Sequence, residues 1–252
     1  MKPVKAKKYL GQHFLKDNNL AQEITNLLNK EHQNIVEIGP GMGILTKFLI
    51  TKKINLKLIE IDLESITYLK SNFEMNEKNI IHGDFLKTDI KSYFNQKISI
   101  IGNFPYNISS QILFKVYENK DLIDEVVGMF QKEVAERISS TTGKKRGILS
   151  VLIQAFYKVE YCLTISEASF NPAPKVKSAV IKLTRNRRRK LDCNEKLFKQ
   201  IIKSAYNQRR KTLRNALKNF NLKMNNEINH LLTLRAEKLS VEDFIKITKN
   251  VC

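Results

Sequence analysis

The chain has 252 residues and a formal net charge of +19, from 44 Lys and Arg against 25 Asp and Glu. Hydrophobic residues make up 42% of it and include 13 Phe, which excludes wholesale disorder, and the length suits one sizeable domain or a domain with a small appendage. No apolar run approaches the roughly 18 residues of a membrane span, no hydrophobic signal-peptide core follows the basic start, and Cys162, Cys193 and Cys252 are too scattered for a disulfide framework or a zinc site.

In chain order, short runs rich in Ile and Val predict strands at Asn34–Ile38, Leu56–Ile61, Asn79–His82, Ile98–Gly102, Val126–Phe130, Ala155–Leu163 and Ala179–Leu183. Helical patterns lie between several of them, at Ile44–Ile50, Leu63–Phe73 and Ser109–Tyr117. Alternation of this kind predicts an open, mostly parallel α/β sheet with ligands at the carboxyl ends of its strands. The last two strands lack a long helix between them and are expected to form an antiparallel pair. After Arg185 the pattern turns helical, at Glu195–Tyr206, Arg209–Phe220, Asn225–Leu232 and Val241–Thr248, with Ser240 and Asp243 placed as an N-terminal cap. The basic stretch Asn186–Lys190 marks a boundary, giving expected domains of residues 1–185 and 186–252.

The charge is unevenly placed. Residues 1–16 carry five Lys and no acid, and residues 186–252 carry 17 basic side chains against six acids, while the 169 residues between are nearly neutral. Eight of the ten Arg fall between Arg185 and Arg235, and the planar guanidinium suits phosphate better than a point charge does. The two ends therefore point to a polyanionic partner.

The near-neutral middle carries the chemistry-bearing motifs. Val36-Glu37-Ile38-Gly39-Pro40-Gly41-Met42-Gly43 closes the first strand with glycines that let a ligand approach the backbone. Glu60, about 20 residues on at the end of the second strand, is placed to accept from two ribose hydroxyls. The spacing is not that of a phosphate-binding loop and Pro40 lacks an N–H, which favours an uncharged nucleoside tail. In His82-Gly83-Asp84-Phe85, Asp84 can accept from an adenine amino group while Phe85 covers the ring. Gly102-Asn103-Phe104-Pro105-Tyr106-Asn107 then sets a side-chain amide oxygen, a backbone carbonyl and an aromatic face at one strand end. An exocyclic adenine amine attacks poorly until two acceptors hold its hydrogens, and the Asn103 side chain and Phe104 carbonyl can be those acceptors, with Tyr106 stacking on the extruded base. Phe14, Phe48 and Phe156 lie on apolar faces and are expected in the core.

With these residues in view, the sequence resembles the small-subunit (16S) rRNA adenine dimethyltransferase family. The likeness begins at Tyr9-Leu10-Gly11-Gln12-His13-Phe14-Leu15, runs through the motifs above, and continues through Phe170-Asn171-Pro172-Ala173-Pro174-Lys175-Val176-Lys177-Ser178-Ala179-Val180 and Tyr206–Leu217. The resemblance implies a Rossmann-like S-adenosylmethionine-dependent methyltransferase core with a mostly parallel seven-stranded sheet and a small all-helical C-terminal domain. It implies cofactor contacts at His13, Leu15, Gly39, Gly41, Glu60, Asp84, Phe85 and Asn103, and a catalytic set of Asn103, Phe104, Pro105, Tyr106 and Phe170, the last a second stacking face opposite Tyr106. It further implies two methyl transfers to each of two adjacent adenosines in a hairpin loop near the 3′ end of 16S rRNA, a role in ribosome biogenesis, and a monomeric cytoplasmic enzyme without metal or membrane. The family usually has Asn where this chain has His13 and Leu where it has Phe104; a ring nitrogen remains at 13, and only the carbonyl is needed at 104.

The rRNA surface is expected to draw on Lys144, Lys145, Arg146, Arg187, Arg188, Arg189, Arg209, Arg210, Lys211 and Arg214. Three alternatives stand beside this expectation: a large-subunit (23S) rRNA dimethyltransferase of the macrolide-resistance type, a DNA adenine methyltransferase, and a chiefly non-catalytic small-subunit assembly factor. Gln208–Asn215 favours the small-subunit branch, a DNA enzyme usually needs a larger recognition region than residues 186–252, and intact motifs favour an active enzyme.

Overall fold

The computed structural model describes residues 3–252; Met1 and Lys2, counted above with the basic start, lie outside them. In chain order the elements are β1 (Phe14–Leu15), α1 (Asn18–Asn26), β2 (Asn34–Ile38), α2 (Thr46–Leu49), β3 (Asn55–Glu60), α3 (Leu63–Asn72), β4 (Ile80–His82), β5 (Ile98–Asn103), α4 (Ser109–Glu118), β6 (Ile123–Gln131), α5 (Lys132–Ser139), α6 (Ile148–Gln154), β7 (Tyr157–Ile165), β8 (Phe170–Asn171), β9 (Ser178–Arg185), α7 (Glu195–Asn207), α8 (Leu213–Ala216), α9 (Asn226–Thr233) and α10 (Val241–Lys249). They group into two compact units: the described chain up to Ala135 with Val159–Arg185, and Glu136–Lys158 with Asn186–Cys252. No helix among the described residues is long and apolar enough to cross a membrane.

The first unit is built on a seven-stranded sheet in the order β4-β3-β2-β5-β6-β9-β7. Strands β4, β3, β2, β5 and β6 are parallel, with Val36 opposite both Lys57 and Ile100, and β9 runs antiparallel to β6. The central strands are apolar on both faces, as helix-covered parallel strands must be: Ile35, Val36, Leu58, Ile100, Ile101 and Val127 are all buried. Because β2 pairs with β3 on one side and β5 on the other, the direction of winding reverses there and opens a crevice at the carboxyl ends. Ile38, Glu60, His82 and Asn103 end the four strands around that crevice. A separate two-stranded ladder pairs β1 with β8, Leu15 opposite Phe170.

The second unit is helical. Asn194 caps α7 by accepting from the Lys196 and Leu197 amides, and Ser240 and Asp243 cap α10 reciprocally, as their spacing predicts. Its core is formed by residues such as Phe198, Ile202, Leu213, Leu217, Ile228 and Phe244. Two expectations change here. Residues 136–158, placed by sequence with the first domain, cluster with the second unit because α6 packs on α7. The helix expected over Arg209–Phe220 shrinks to Leu213–Ala216, since Arg209–Lys211 form a turn before Thr212.

Candidate active site

A cavity of about 170 Å³ opens at the crevice, and all of its wall belongs to the first unit. Gly39, Gly41, Glu60, Asp84, Phe85, Asn103, Phe104, Pro105, Tyr106 and His13 line it, so most of the sequence-expected site residues come together. Neither Lys nor Arg is among the lining residues; the charged side chains there are the acids Glu60 and Asp84.

The glycine loop is shaped by its backbone. Gly39 and Gly41 have φ of 64° and 56°, the left-handed region that side chains disfavour. At Gly41 there is a second reason: a Cβ would come within 2.7 Å of the Phe14 ring. Phe14, expected in the core, is instead half-buried and lines the cavity against this glycine.

Glu60 is buried and accepts three backbone N–H groups, from Gly41 at 3.0 Å, Ile61 at 2.8 Å and Asp62 at 2.9 Å. Burial holds its carboxyl above the usual range, against the downward pull of those three donors. Glu37, two residues before the loop, is buried too, and its Oε2 accepts from the Thr46 hydroxyl at 2.7 Å. Burial pushes Glu37 up to about 8; the Thr46 bond opposes this and the Glu60 charge adds to it. Sequence gave Glu37 no role, although an acid inside an apolar strand just before the glycines is the signal that marks it.

Asp84 turns the chain after β4: its Oδ1 accepts from the Leu86 amide at 2.9 Å. The Lys115 ammonium from α4 holds the same turn, donating to the carbonyls of Phe85, Leu86 and Thr88 and lying 4.9 Å from the centre of the Phe85 ring. Burial lowers its pKa.

On the opposite wall, Asn103 Nδ2 donates to the His13 carbonyl at 2.7 Å. That bond fixes which end of the amide faces the cavity: the oxygen is left as acceptor. Among the described residues none donates to Asn103 Oδ1 or to the Phe104 carbonyl. The Phe104 side chain points away into the core, 1% exposed and edge-on to Phe130, in space that a Cβ on Gly102 or Gly128 would take. Tyr106 stacks on His13, with ring centres 5.6 Å apart, and shares a hydrogen bond with Ser178; burial raises its phenol pKa. His13 Nδ1 lies 2.8 Å from the Pro172 carbonyl.

Two implied site residues are elsewhere. Phe170 is 2% exposed and packs in the hydrophobic core with Leu15, Ile165 and Val180, because its pairing across the β1–β8 ladder turns it inward. It is not on the cavity wall. Leu15 is buried in the same core and borders a smaller neighbouring pocket with Glu37 and Asn103.

The expected RNA-contacting residues also divide. Arg146 is 1% exposed in the second unit, donating to the Thr141 carbonyl and to Gln154 Oε1 at 3.1 Å, so it is a buried tie within its loop and not a surface cation. Tyr206 lies beside it, its phenol pushed by burial up to about 12 while Arg146 pulls the other way. Lys145 pairs with Glu136, Arg188 with Glu242, and Arg209 with Glu237 and the Lys144 carbonyl. Lys144, Arg187, Arg189, Arg210, Lys211 and Arg214 are exposed.

The family model of ribosomal RNA adenine dimethylase matches residues 4–251. The ribosomal RNA small subunit methyltransferase A of Flavobacterium johnsoniae is 53% identical over 100% of this chain and 97% of its own length, and that of Cytophaga hutchinsonii 51% identical over 98% of both. Among solved structures, a dimethyladenosine transferase from Plasmodium falciparum superposes with a TM-score of 0.77 at 26% identity, covering 93% of this chain and 96% of that one. The 23S rRNA methyltransferase ErmE reaches 0.74 at 19% identity, covering 94% and 99%, a likeness of fold. The chain thus belongs to the ribosomal RNA adenine dimethylase family.

Proposed function

We propose that the chain binds S-adenosylmethionine in the cavity and transfers methyl groups to N6 of two adjacent adenosines in the 3′-terminal hairpin loop of 16S rRNA. The residues present suit such a cofactor. A lining with two acids, an aromatic and aliphatic wall and no cation suits a nucleoside carrying positive charge and disfavours a nucleotide phosphate. Gly39 and Gly41 would lie against it, Glu60 would take the ribose side, and Asp84 with Phe85 the base. When bound, the cofactor supplies an electrophilic methyl carbon on a sulfonium.

The chain's own part is alignment. The observation that carries this reading is the orientation of Asn103: with Nδ2 committed to the His13 carbonyl, Oδ1 and the Phe104 carbonyl form two acceptors at one strand end. Together they hold both N6 hydrogens of an extruded adenine and draw nitrogen toward tetrahedral geometry. No base is needed before attack, because the amine becomes acidic only once alkylated. His13 covers one face of Tyr106, which leaves the other face for the target base. Phe170 is held in the core of this fold and does not line the cavity. A second transfer meets an amine with one hydrogen left, so one acceptor contact is given up in that round.

The identity of 51% and 53% to proteins named for the small subunit favours that substrate over the large-subunit alternative, to which the likeness is one of fold. The exposed cations of the helical unit are the surface proposed to hold the rRNA backbone. Labelled S-adenosylmethionine with unmethylated small subunits, followed by nucleoside analysis, tests the proposal. N6,N6-dimethyladenosine in small-subunit rRNA is expected; no product, or product only in large-subunit rRNA, overturns it. Subunit binding should also weaken steeply with salt, because each Lys or Arg contact to phosphate releases counterions.

A further inference from the structure

Tyr106 carries a hydroxyl that stacking does not require, since a phenyl face would cover a base as well. In this fold the hydroxyl is engaged with Ser178 Oγ at 2.5 Å. Ser178 is completely buried as the first residue of β9, opposite Gln131 across the β6–β9 ladder. A hydroxyl buried so deeply is costly unless it has a partner, and its partner here is the cavity-lining tyrosine. The sheet fixes Ser178 from both sides: Ala179 pairs with Phe130 in the ladder, and the Lys132 amide donates to the Lys177 carbonyl at 2.9 Å just before it.

From Ser178 the contacts run without a break to the acceptor that faces the substrate. The Tyr106 ring lies on His13 with an interplanar angle of 26°, and the His13 carbonyl holds the Asn103 amide. The backbone of Tyr106 is pinned separately, its carbonyl accepting from the Ser109 hydroxyl at 3.1 Å, which leaves the Ser178 bond as the polar hold on the ring. We propose that Ser178 is a positioning residue for methyl transfer, acting through the Tyr106 hydroxyl to hold the ring on which the target adenine stacks. The inference rests on the adenine reading of the site and adds a residue in β9 to it.

A double-mutant cycle on the full chain tests it, with Ser178→Ala, Tyr106→Phe and the two combined. Each protein is measured for single-turnover methyl transfer to unmethylated small subunits and for S-adenosylmethionine affinity by calorimetry. Each single variant should lose about tenfold in transfer rate, the loss of one hydrogen bond's worth of alignment, and the pair should lose no more than either alone. Cofactor affinity should stay at the wild-type value in all three, a split that general damage to the fold would not produce. Additive losses, an unchanged rate in either single variant, or a parallel fall in cofactor affinity would overturn the proposal. If Ser178→Ala does not fold, Tyr106→Phe decides alone, since it leaves Ser178 in place: native melting with unchanged transfer refutes the role, and slowed transfer with unchanged affinity supports it. A wild-type chain that makes no methylated adenosine overturns the underlying reading as well, which separates the two failures.

Discussion

The two walls of the cavity are built on opposite plans. On the glycine-loop wall the acceptors are fixed by backbone amides: the Glu60 carboxylate takes three, and Asp84 Oδ1 takes that of Leu86. On the Asn103–Tyr106 wall the Asn103 amide is anchored by its own Nδ2, which donates to the His13 carbonyl and leaves Oδ1 open as an acceptor, while Ser178 holds the Tyr106 hydroxyl. A wall held by its own backbone keeps its shape whether or not a ligand is there. A wall with open acceptors discriminates, because a ligand that lacks matching hydrogens leaves them desolvated.

Breaking the open wall should cost the most. Asn103→Ala should lower the rate of methyl transfer by about 100-fold or more, on the scale of losing a preorganised transition-state contact, with subunit binding retained in a filter or sedimentation assay. Breaking the closed wall should act on affinity first. Glu60→Ala leaves the amides of Gly41, Ile61 and Asp62 without their acceptor, and calorimetry should show cofactor affinity down by about tenfold or more.

Glu37 sharpens the contrast through pH. Its carboxyl titrates near 8 in the folded protein and near the ordinary 4.5 when unfolded. Between those values the folded state keeps a proton that the unfolded chain has released, so this group makes stability fall as pH rises across the window and adds no slope above it. Glu37→Gln keeps an oxygen for Thr46 and removes the slope. Its stability in chemical denaturation should pull ahead of wild type from pH 5 to 8, by a few kcal/mol at most. The smallest effect separates the two glycines. Gly39→Ala meets no atom within 4 Å and should lose only about 1 kcal/mol for its positive φ, whereas Gly41→Ala also drives a Cβ into Phe14 and should cost more in chemical denaturation.

What could be read from sequence follows from what local residues decide. Strand ends are local, and so the glycine loop, Glu60, Asp84 and Asn103–Tyr106 were legible: each is punctuation after an apolar run. Residues whose role depends on a distant partner were not. Phe170 reads as an aromatic in a site motif, but its pairing with Leu15 sends the ring into the core. By the same ladder Phe14, read as core, meets Gly41 instead. Lys144-Lys145-Arg146 reads as a uniform basic loop, yet the carbonyl of Thr141 and the side chain of Gln154 draw Arg146 inside and leave its neighbours out. Charge counting cannot see that, since a buried and an exposed guanidinium contribute alike to net charge. Residues 209–220 have helical composition, but the turn at Arg209–Lys211 allows only a short helix after Thr212.

The β1–β8 ladder has a further consequence, in time. It joins residues 14 and 171, and nearby the Lys16 amide reaches the Ser169 carbonyl while His13 reaches that of Pro172. The lining residues His13 and Phe14 are thus held by a segment from the other end of the first unit's sequence, the most expensive kind of loop to close. During synthesis the glycine loop, Glu60 and Asn103 all emerge before β8, the strand with which β1 pairs. The nascent chain therefore carries the glycine loop, Glu60 and Asn103–Tyr106 before it has the ladder beside them, and that ladder forms late, with the segment from Phe170 to Ser178.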